Sequence, residues 1–138
     1  MSPFVVDASI TLSWCFLDET TQYSRGVLAV LQNTYAVVPA LWPFEIANGL
    51  AIAERRKRIS QEQIAEFLEI LRKLPIQVER QVAVWLCQAI TQLARAHRLT
   101  AYDAAYLDLA HRERLQLSTL DSDLQDAGRS IGIAAVQI

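Results

Sequence analysis

The spacing of apolar residues changes several times along this chain, and the changes mark its elements. Phe4-Val5-Val6 is an unbroken apolar run stopped by Asp7, the pattern of a strand buried on both faces. Ser9 to Phe16 predicts a short helix, and Tyr23 to Gln32 repeats apolar residues at Val27, Val30 and Leu31, a helical spacing. Ala36-Val37-Val38, closed by Pro39, predicts a second strand. Pro43 suits a first helical position, where no N–H is needed. The helix it opens runs through Ile46, Ala47, Leu50 and Ala51 and ends near Arg58. Ser60 and Gln63 form a capping box for a helix with the stripe Ile64, Phe67, Leu68 and Leu71, ended by Pro75. Ile76 to Glu79 predicts a short strand. Val82, Trp85, Leu86, Ala89, Ile90 and Leu93 mark an amphipathic helix, and Thr100 opens another that reaches Leu115. Leu117 to Leu120 predicts a strand ending at Asp121, followed by a short helix around Leu124 and a terminal strand over Ile131 to Ile138.

Strands alternating with helices imply an α/β fold, a mostly parallel central sheet flanked by helices, with right-handed crossovers. No repeat or low-complexity linker interrupts the chain, so residues 1–138 are expected to form one domain. Apolar residues make up 52% and charged residues 20%, which excludes a disordered chain. The formal charge of −2 excludes a polycation, so any contact with nucleic acid must come from a local basic patch. Cys15 and Cys87 lack a Cys-x-x-Cys or paired-His context, which argues against zinc and for buried thiols in a reducing compartment. No stretch reaches membrane-spanning length and the first residues do not resemble a signal peptide, so a cytoplasmic protein is expected.

The informative residues are acids in costly places. Asp7 closes an apolar strand, Glu45 lies in the first turn of an apolar helix, Asp103 stands among Ala and Tyr, and Asp121 follows a strand with Asp123 two residues on. In open parallel sheets, ligands bind outside the carboxyl ends of the strands. Asp7 and Asp121 would lie at that edge, and the helices of Glu45 and Asp103 can start from it. Each acid also has a plainer use. Glu45 and Asp103 favour a helix N-terminus, Thr100 and Asp103 fit a capping pattern, and Asp121 suits an N-cap. Together, four converging acids would repel by roughly 3 kcal/mol per close pair at an effective dielectric near 20. A hard divalent cation resolves that repulsion, and Mg²⁺ or Mn²⁺ chemistry of this kind serves phosphodiester hydrolysis.

Four segments carry a resemblance: Val5-Val6-Asp7-Ala8-Ser9, Pro43-Phe44-Glu45-Ile46-Ala47-Asn48, Leu99-Thr100-Ala101-Tyr102-Asp103-Ala104-Ala105-Tyr106 and Ser118-Thr119-Leu120-Asp121-Ser122-Asp123-Leu124. In order and spacing the set resembles the motifs of PIN-domain ribonucleases, and more narrowly the VapC toxins of toxin–antitoxin pairs. The resemblance implies a PIN-like three-layer fold and an endoribonuclease dependent on Mg²⁺ or Mn²⁺. It also implies a homodimer held in check by a small VapB-like antitoxin. By motif, Asp7, Glu45, Asp103 and Asp121 take the catalytic positions, with Asp7, Asp103 and Asp121 as metal ligands. Ser9, Asn48 and Thr119 take supporting positions, and Asp123 is an extra acid. Alternatives are a PIN-like nuclease with a housekeeping RNA-processing role and a non-catalytic interaction module. A haloacid-dehalogenase-type enzyme is disfavoured because Ser9 stands where its second Asp would be. A phospho-receiver is disfavoured because Lys57 and Lys73 are both mid-chain.

The run Arg55-Arg56-Lys57-Arg58 is the candidate RNA-backbone contact, although it also suits a helix C-terminus. His97 and His111 lack ligand-spaced partners and read as surface residues. Trp14, Trp42 and Trp85 read as core or interface. Trp14, Phe16, Val27, Leu31, Leu50, Phe67 and Leu71 supply apolar surface, some of which should line a groove for an antitoxin segment.

Overall fold

The computed structural model describes residues 1–80 and 82–138. In chain order the elements are β1 (Phe4–Val6), α1 (Ala8–Ser13), α2 (Gln22–Val30), β2 (Ala36–Val38), α3 (Trp42–Arg55), α4 (Gln61–Lys73), β3 (Ile76–Val78), α5 (Leu86–His97), α6 (Ala101–Glu113), β4 (Gln116–Ser118) and α7 (Ser122–Ser130). The four strands form a parallel sheet in the order β3-β2-β1-β4. Val5 pairs with Val37 on one side and with Leu117 on the other. β1 is fully buried, which accounts for its unbroken apolar run.

Parallel pairing puts every strand's carboxyl end on one edge. The chain leaves β1 towards β2 and returns on the far side of β1 as β4, so the topological switch point lies beyond the ends of β1 and β4. Asp7 follows β1, and Thr119 to Asp121 follow β4. Two contacts dock α3 against α1 at this edge. Thr11 donates to the carbonyl of Asp7 (3.0 Å) and accepts the indole N–H of Trp42 (3.1 Å). Gly49 faces Leu12 so closely that a Cβ there would lie 2.7 Å from Leu12 Cδ1. α6 is buried from Ala104 through Ala110, and its Ala-rich surface lets it lie between the sheet and its neighbouring helices.

Caps set most helix ends. The Ser60–Gln63 box opens α4, and Thr100 accepts the N–H of Asp103 to open α6. α5 departs from expectation. It starts at Leu86 rather than at Val82, and Val82, Val84 and Trp85 stand exposed, which removes Trp85 from the core. Exposed, these three side chains contribute little apolar burial to offset the entropy of extending the helix across 82–85. The terminal strand shrinks to one parallel bridge between Leu117 and Ala135. Gly132, at φ +82°, turns the chain just before it, and β4 offers only three residues to pair with. Cys15 is half-buried and Cys87 is exposed, so Cys87 is not the buried thiol its apolar neighbours imply. Among the described residues no helix is long and apolar enough to cross a membrane.

Candidate active site

Asp7 is buried, 4% exposed, at the exit of β1. Its Oδ1 accepts from the Ser9 hydroxyl (2.6 Å) and from the Ile10 amide (3.1 Å), which makes it the N-cap of α1. Its Oδ2 accepts from the Thr119 hydroxyl. Both hydroxyls reach on to the β4 exit: Ser9 Oγ accepts the Leu120 N–H and Thr119 Oγ1 accepts the Asp121 N–H, each at 3.0 Å. Two strand ends are thus tied through one carboxylate.

The other three acids arrive on helix N-termini. Asp121 caps α7 by accepting the amides of Asp123 (2.9 Å) and Leu124 (3.4 Å). Asp103 is half-buried in the first turn of α6. Glu45 is half-buried in the first turn of α3, where its Oε1 accepts the hydroxyl of Tyr106 at 2.5 Å. The sequence reading did not assign Tyr106 a role, because a Tyr among Ala and Leu on a buried helix reads as core. The available signal was its spacing: three residues after Asp103, it shares a helix face with that acid.

The charges are coupled. Burial lifts the Asp7 carboxyl to about 6; its hydroxyl and amide donors pull it down, and the charge of Asp103 pushes it up. Burial also raises Glu45, with Tyr106 opposing and Asp103 adding to the rise. Asp103 is raised by burial and then by Asp121. The charge of Asp103 thus acts on both Asp7 and Glu45, and that of Asp121 acts on Asp103. Tyr106 is driven far above its usual range by burial and by its bond to Glu45, so it stays a protonated donor. Among the described residues none of these acids has a Lys, Arg or His ion-pair partner.

This donor set suits a hard cation: every side chain offered is a carboxylate, hydroxyl or phenol oxygen, and the carboxylates carry unrelieved negative charge. Among the described residues no three carboxylate, imidazole or thiol groups form a ready metal cage. Mg²⁺ is commonly held by one or two carboxylates and several waters, so it does not require such a cage.

The side chains of the remaining candidates take no part in these bonds. Asp123 is exposed and lends only its amide to Asp121, and Asn48 is exposed one turn beyond Glu45 on α3. Arg55, Arg56 and Lys57 are exposed at the far end of α3. Ten residues at 1.5 Å rise separate Glu45 from Arg55, about 15 Å along the axis. Arg58 is engaged locally, pairing with Asp18 (2.9 Å) and Glu19 (3.4 Å) over the ring of Phe16 (4.5 Å).

The PIN-domain family profile matches residues 4–130. The chain is 34% identical over 126 residues to the VapC ribonuclease Mb0985 of Mycobacterium bovis, covering 91% of each protein. It is equally similar to Ribonuclease VapC9 of Mycobacterium tuberculosis. It is 27% identical over 122 residues to Ribonuclease VapC3 of Pyrobaculum aerophilum, covering 88% of this chain and 92% of that one. The crystal structure of PAE2754 from Pyrobaculum aerophilum superposes with a TM-score of 0.66 at 19% identity, over 91% of this chain and 84% of that one, and shares its fold. With the four acidic motifs in order inside the matched span, the chain belongs to the PIN-domain family, within its VapC ribonucleases.

Proposed function

We propose that this chain is a metal-dependent endoribonuclease and the toxin of a toxin–antitoxin pair. The observation that carries the reading is the coupled group of Asp7, Glu45, Asp103 and Asp121 at the switch point, with no ion-pair partner among the described residues, in a chain whose relatives are named ribonucleases. Asp7, Asp103 and Asp121 would hold Mg²⁺ or Mn²⁺. When bound, such an ion offsets the negative charge, lowers the pKa of coordinated water and stabilises the departing oxygen.

The chain's own groups do the rest. Ser9 and Thr119 occupy both oxygens of Asp7 and fix its plane. Tyr106 ties up Oε1 of Glu45 and leaves Oε2 to orient a water and take its proton. The water oxygen bonds to phosphorus, one P–O ester bond breaks, and the released oxygen takes up a proton. Of the basic run, Arg55, Arg56 and Lys57 lie one helix length away, where they can hold RNA backbone beyond the cleavage point, while Arg58 is held by Asp18 and Glu19.

The proposal includes a homodimer and a VapB-like antitoxin. Of the apolar residues expected to line a docking groove, Val27 and Leu31 are core, and Trp14, Phe16 and Phe67 line a separate hollow beside Arg58. Leu50 and Leu71 do line a groove of about 480 Å³ between α3 and α4, with Ile46, Ile64, Leu68 and Ile76. Trp42 and Pro43 close its end beside Glu45, so an amphipathic helix laid there can deliver an Arg or Lys to the acids and supply the missing positive charge. The test is cleavage of structured and unstructured RNA with Mg²⁺ or Mn²⁺. Wild type should cut internally, and chelator or Asp7→Asn should stop it. Cleavage unaffected by both would refute the reading.

A further inference from the structure

Among the described residues, three non-glycine positions adopt the left-handed backbone region, and each carries a cation: Lys57 (φ 59°), Arg98 (φ 55°) and Arg114 (φ 57°). Arg98 and Arg114 are the C-caps of α5 and α6. Glycine is the usual residue at such an end, because a Cβ there crowds the following carbonyl oxygen. A cation favours a helix C-terminus, which accounts for the residue type at both caps alike. It does not account for where the two cations fall. α6 opens at the acids and its far end leads into the start of β4, so Arg114 lies at the opposite edge of the sheet. α5 ends where α6 begins, so Arg98 lies at the acidic edge. At most about 7 Å of backbone separates Arg98 from Thr100, whose Oγ1 accepts the Asp103 N–H at 3.1 Å. The turn is held in place: the N–H groups of Arg98 and Leu99 both end on the Ala94 carbonyl, and Leu99 packs against the core. The Arg98 side chain is exposed and, among the described residues, makes no ion pair with Asp103 or any other acid.

The acids pose a problem for RNA, whose phosphates they repel. An ion held in the site serves the phosphate being cleaved, and the phosphates flanking it still face negative charge. Charge is screened over about 8 Å at physiological ionic strength. Arg55, Arg56 and Lys57 lie about 15 Å along α3 from Glu45, too far to offset that repulsion. A cation at the rim of the site is required, and Arg98 stands there.

We propose that Arg98, carried on the left-handed end of α5 beside the first turn of α6, binds an RNA phosphate flanking the one that is cleaved. The inference rests on the ribonuclease reading and adds a substrate-binding residue to its site. It also explains why an arginine is kept at an α5 end where glycine is easier to accommodate.

The test uses an oligoribonucleotide that wild type cuts, with binding measured across a salt series in Ca²⁺ to limit cleavage. Glycine fits the left-handed backbone, so Arg98→Gly and Arg114→Gly should both stay folded in thermal melts. Arg98→Gly should weaken binding roughly tenfold and make the slope of log Kd against log salt shallower by about 0.7, the value for one phosphate contact on a single strand. Its KM should rise by the same factor with kcat unchanged. Arg98→Lys should keep the wild-type slope, and Arg114→Gly should match wild type throughout. A methylphosphonate in place of the phosphate beside the cleaved bond should weaken binding by wild type and leave Arg98→Gly unaffected. An unchanged slope in Arg98→Gly, an equal loss in Arg114→Gly, or a fall in kcat with KM unchanged would overturn the inference. So would a lowered melting temperature with unchanged RNA affinity, which would assign Arg98 to capping α5. Failure of the ribonuclease reading shows separately, as a wild-type protein that cuts no RNA with Mg²⁺ or Mn²⁺.

Discussion

Asp108 and Asp7 are buried to nearly the same degree, 3% and 4% exposed, yet they sit in opposite surroundings. Asp108 on α6 accepts from Arg112 Nε at 2.7 Å, and the same guanidinium reaches Glu79 at 3.0 Å. Two acids share one cation there, and the pair joins the exit of β3 to α6. Asp7 has only hydroxyl and amide donors, and the charge that acts on it is that of another acid, Asp103. The first arrangement closes its own charge balance and serves the fold. The second leaves the balance open and suits a cation from outside. Burial alone does not distinguish a structural acid from a functional one; the partner does.

The largest effect should come from the open site. Asp7→Asn keeps the side chain's shape and removes its charge, so RNA cleavage, followed on a gel under Mg²⁺, should fall by orders of magnitude while the protein stays folded. Arg112→Met should do the reverse. Stranding Asp108 without its cation should cost about 3–5 kcal/mol in urea unfolding, with unchanged activity per folded molecule. An Arg112 variant that lost activity without losing stability would break the contrast between the two sites.

A smaller effect separates them by pH. The Asp7 carboxyl titrates near 6, against 3.8 for an unperturbed one, so between those values the folded protein holds more protons than the unfolded chain. The Asp7 contribution to metal-free stability is therefore greatest below pH 4 and is lost as pH rises to about 6, by about 3 kcal/mol. Urea unfolding of Asp7→Asn from pH 4 to 7 should lack that loss. The smallest effect belongs to Tyr106→Phe, which keeps the ring in the core and removes the donor to Glu45. Its kcat should drop roughly tenfold with KM unchanged. Because the lost bond favours the Glu45 carboxylate, the acid limb of its pH–rate profile should move to higher pH.

Much of this was legible in the sequence, for identifiable reasons. β1 and β2 are apolar runs ended by Asp7 and Pro39, and the capped starts of α4 and α6 are written in Ser60, Gln63 and Thr100. The four acids stood out because acids beside apolar segments are costly. What stayed hidden depends on tertiary context. The start of α5 was misplaced because Val82, Trp85 and Leu86 keep a helical period that the chain does not use. The terminal strand was overextended because its apolar run says nothing of how short β4 is. Tyr106 was invisible as a site residue because its partner lies 61 positions away on another helix. Arg58 read as one of four free cations, and the fold commits it to Asp18 and Glu19.

The central claim is that the four acids form one site whose charge a divalent cation relieves. Thermal melts of wild type and Asp7→Asn at pH 7, first in chelator and then through a Mg²⁺ titration, test it most directly. In chelator the variant should melt higher, because one repelling charge is gone. Added Mg²⁺ should raise the wild-type melting temperature by mass action and move the variant much less. A variant no more stable than wild type in chelator, with an equal response to Mg²⁺, would contradict the account and leave the carboxylates as separate helix caps.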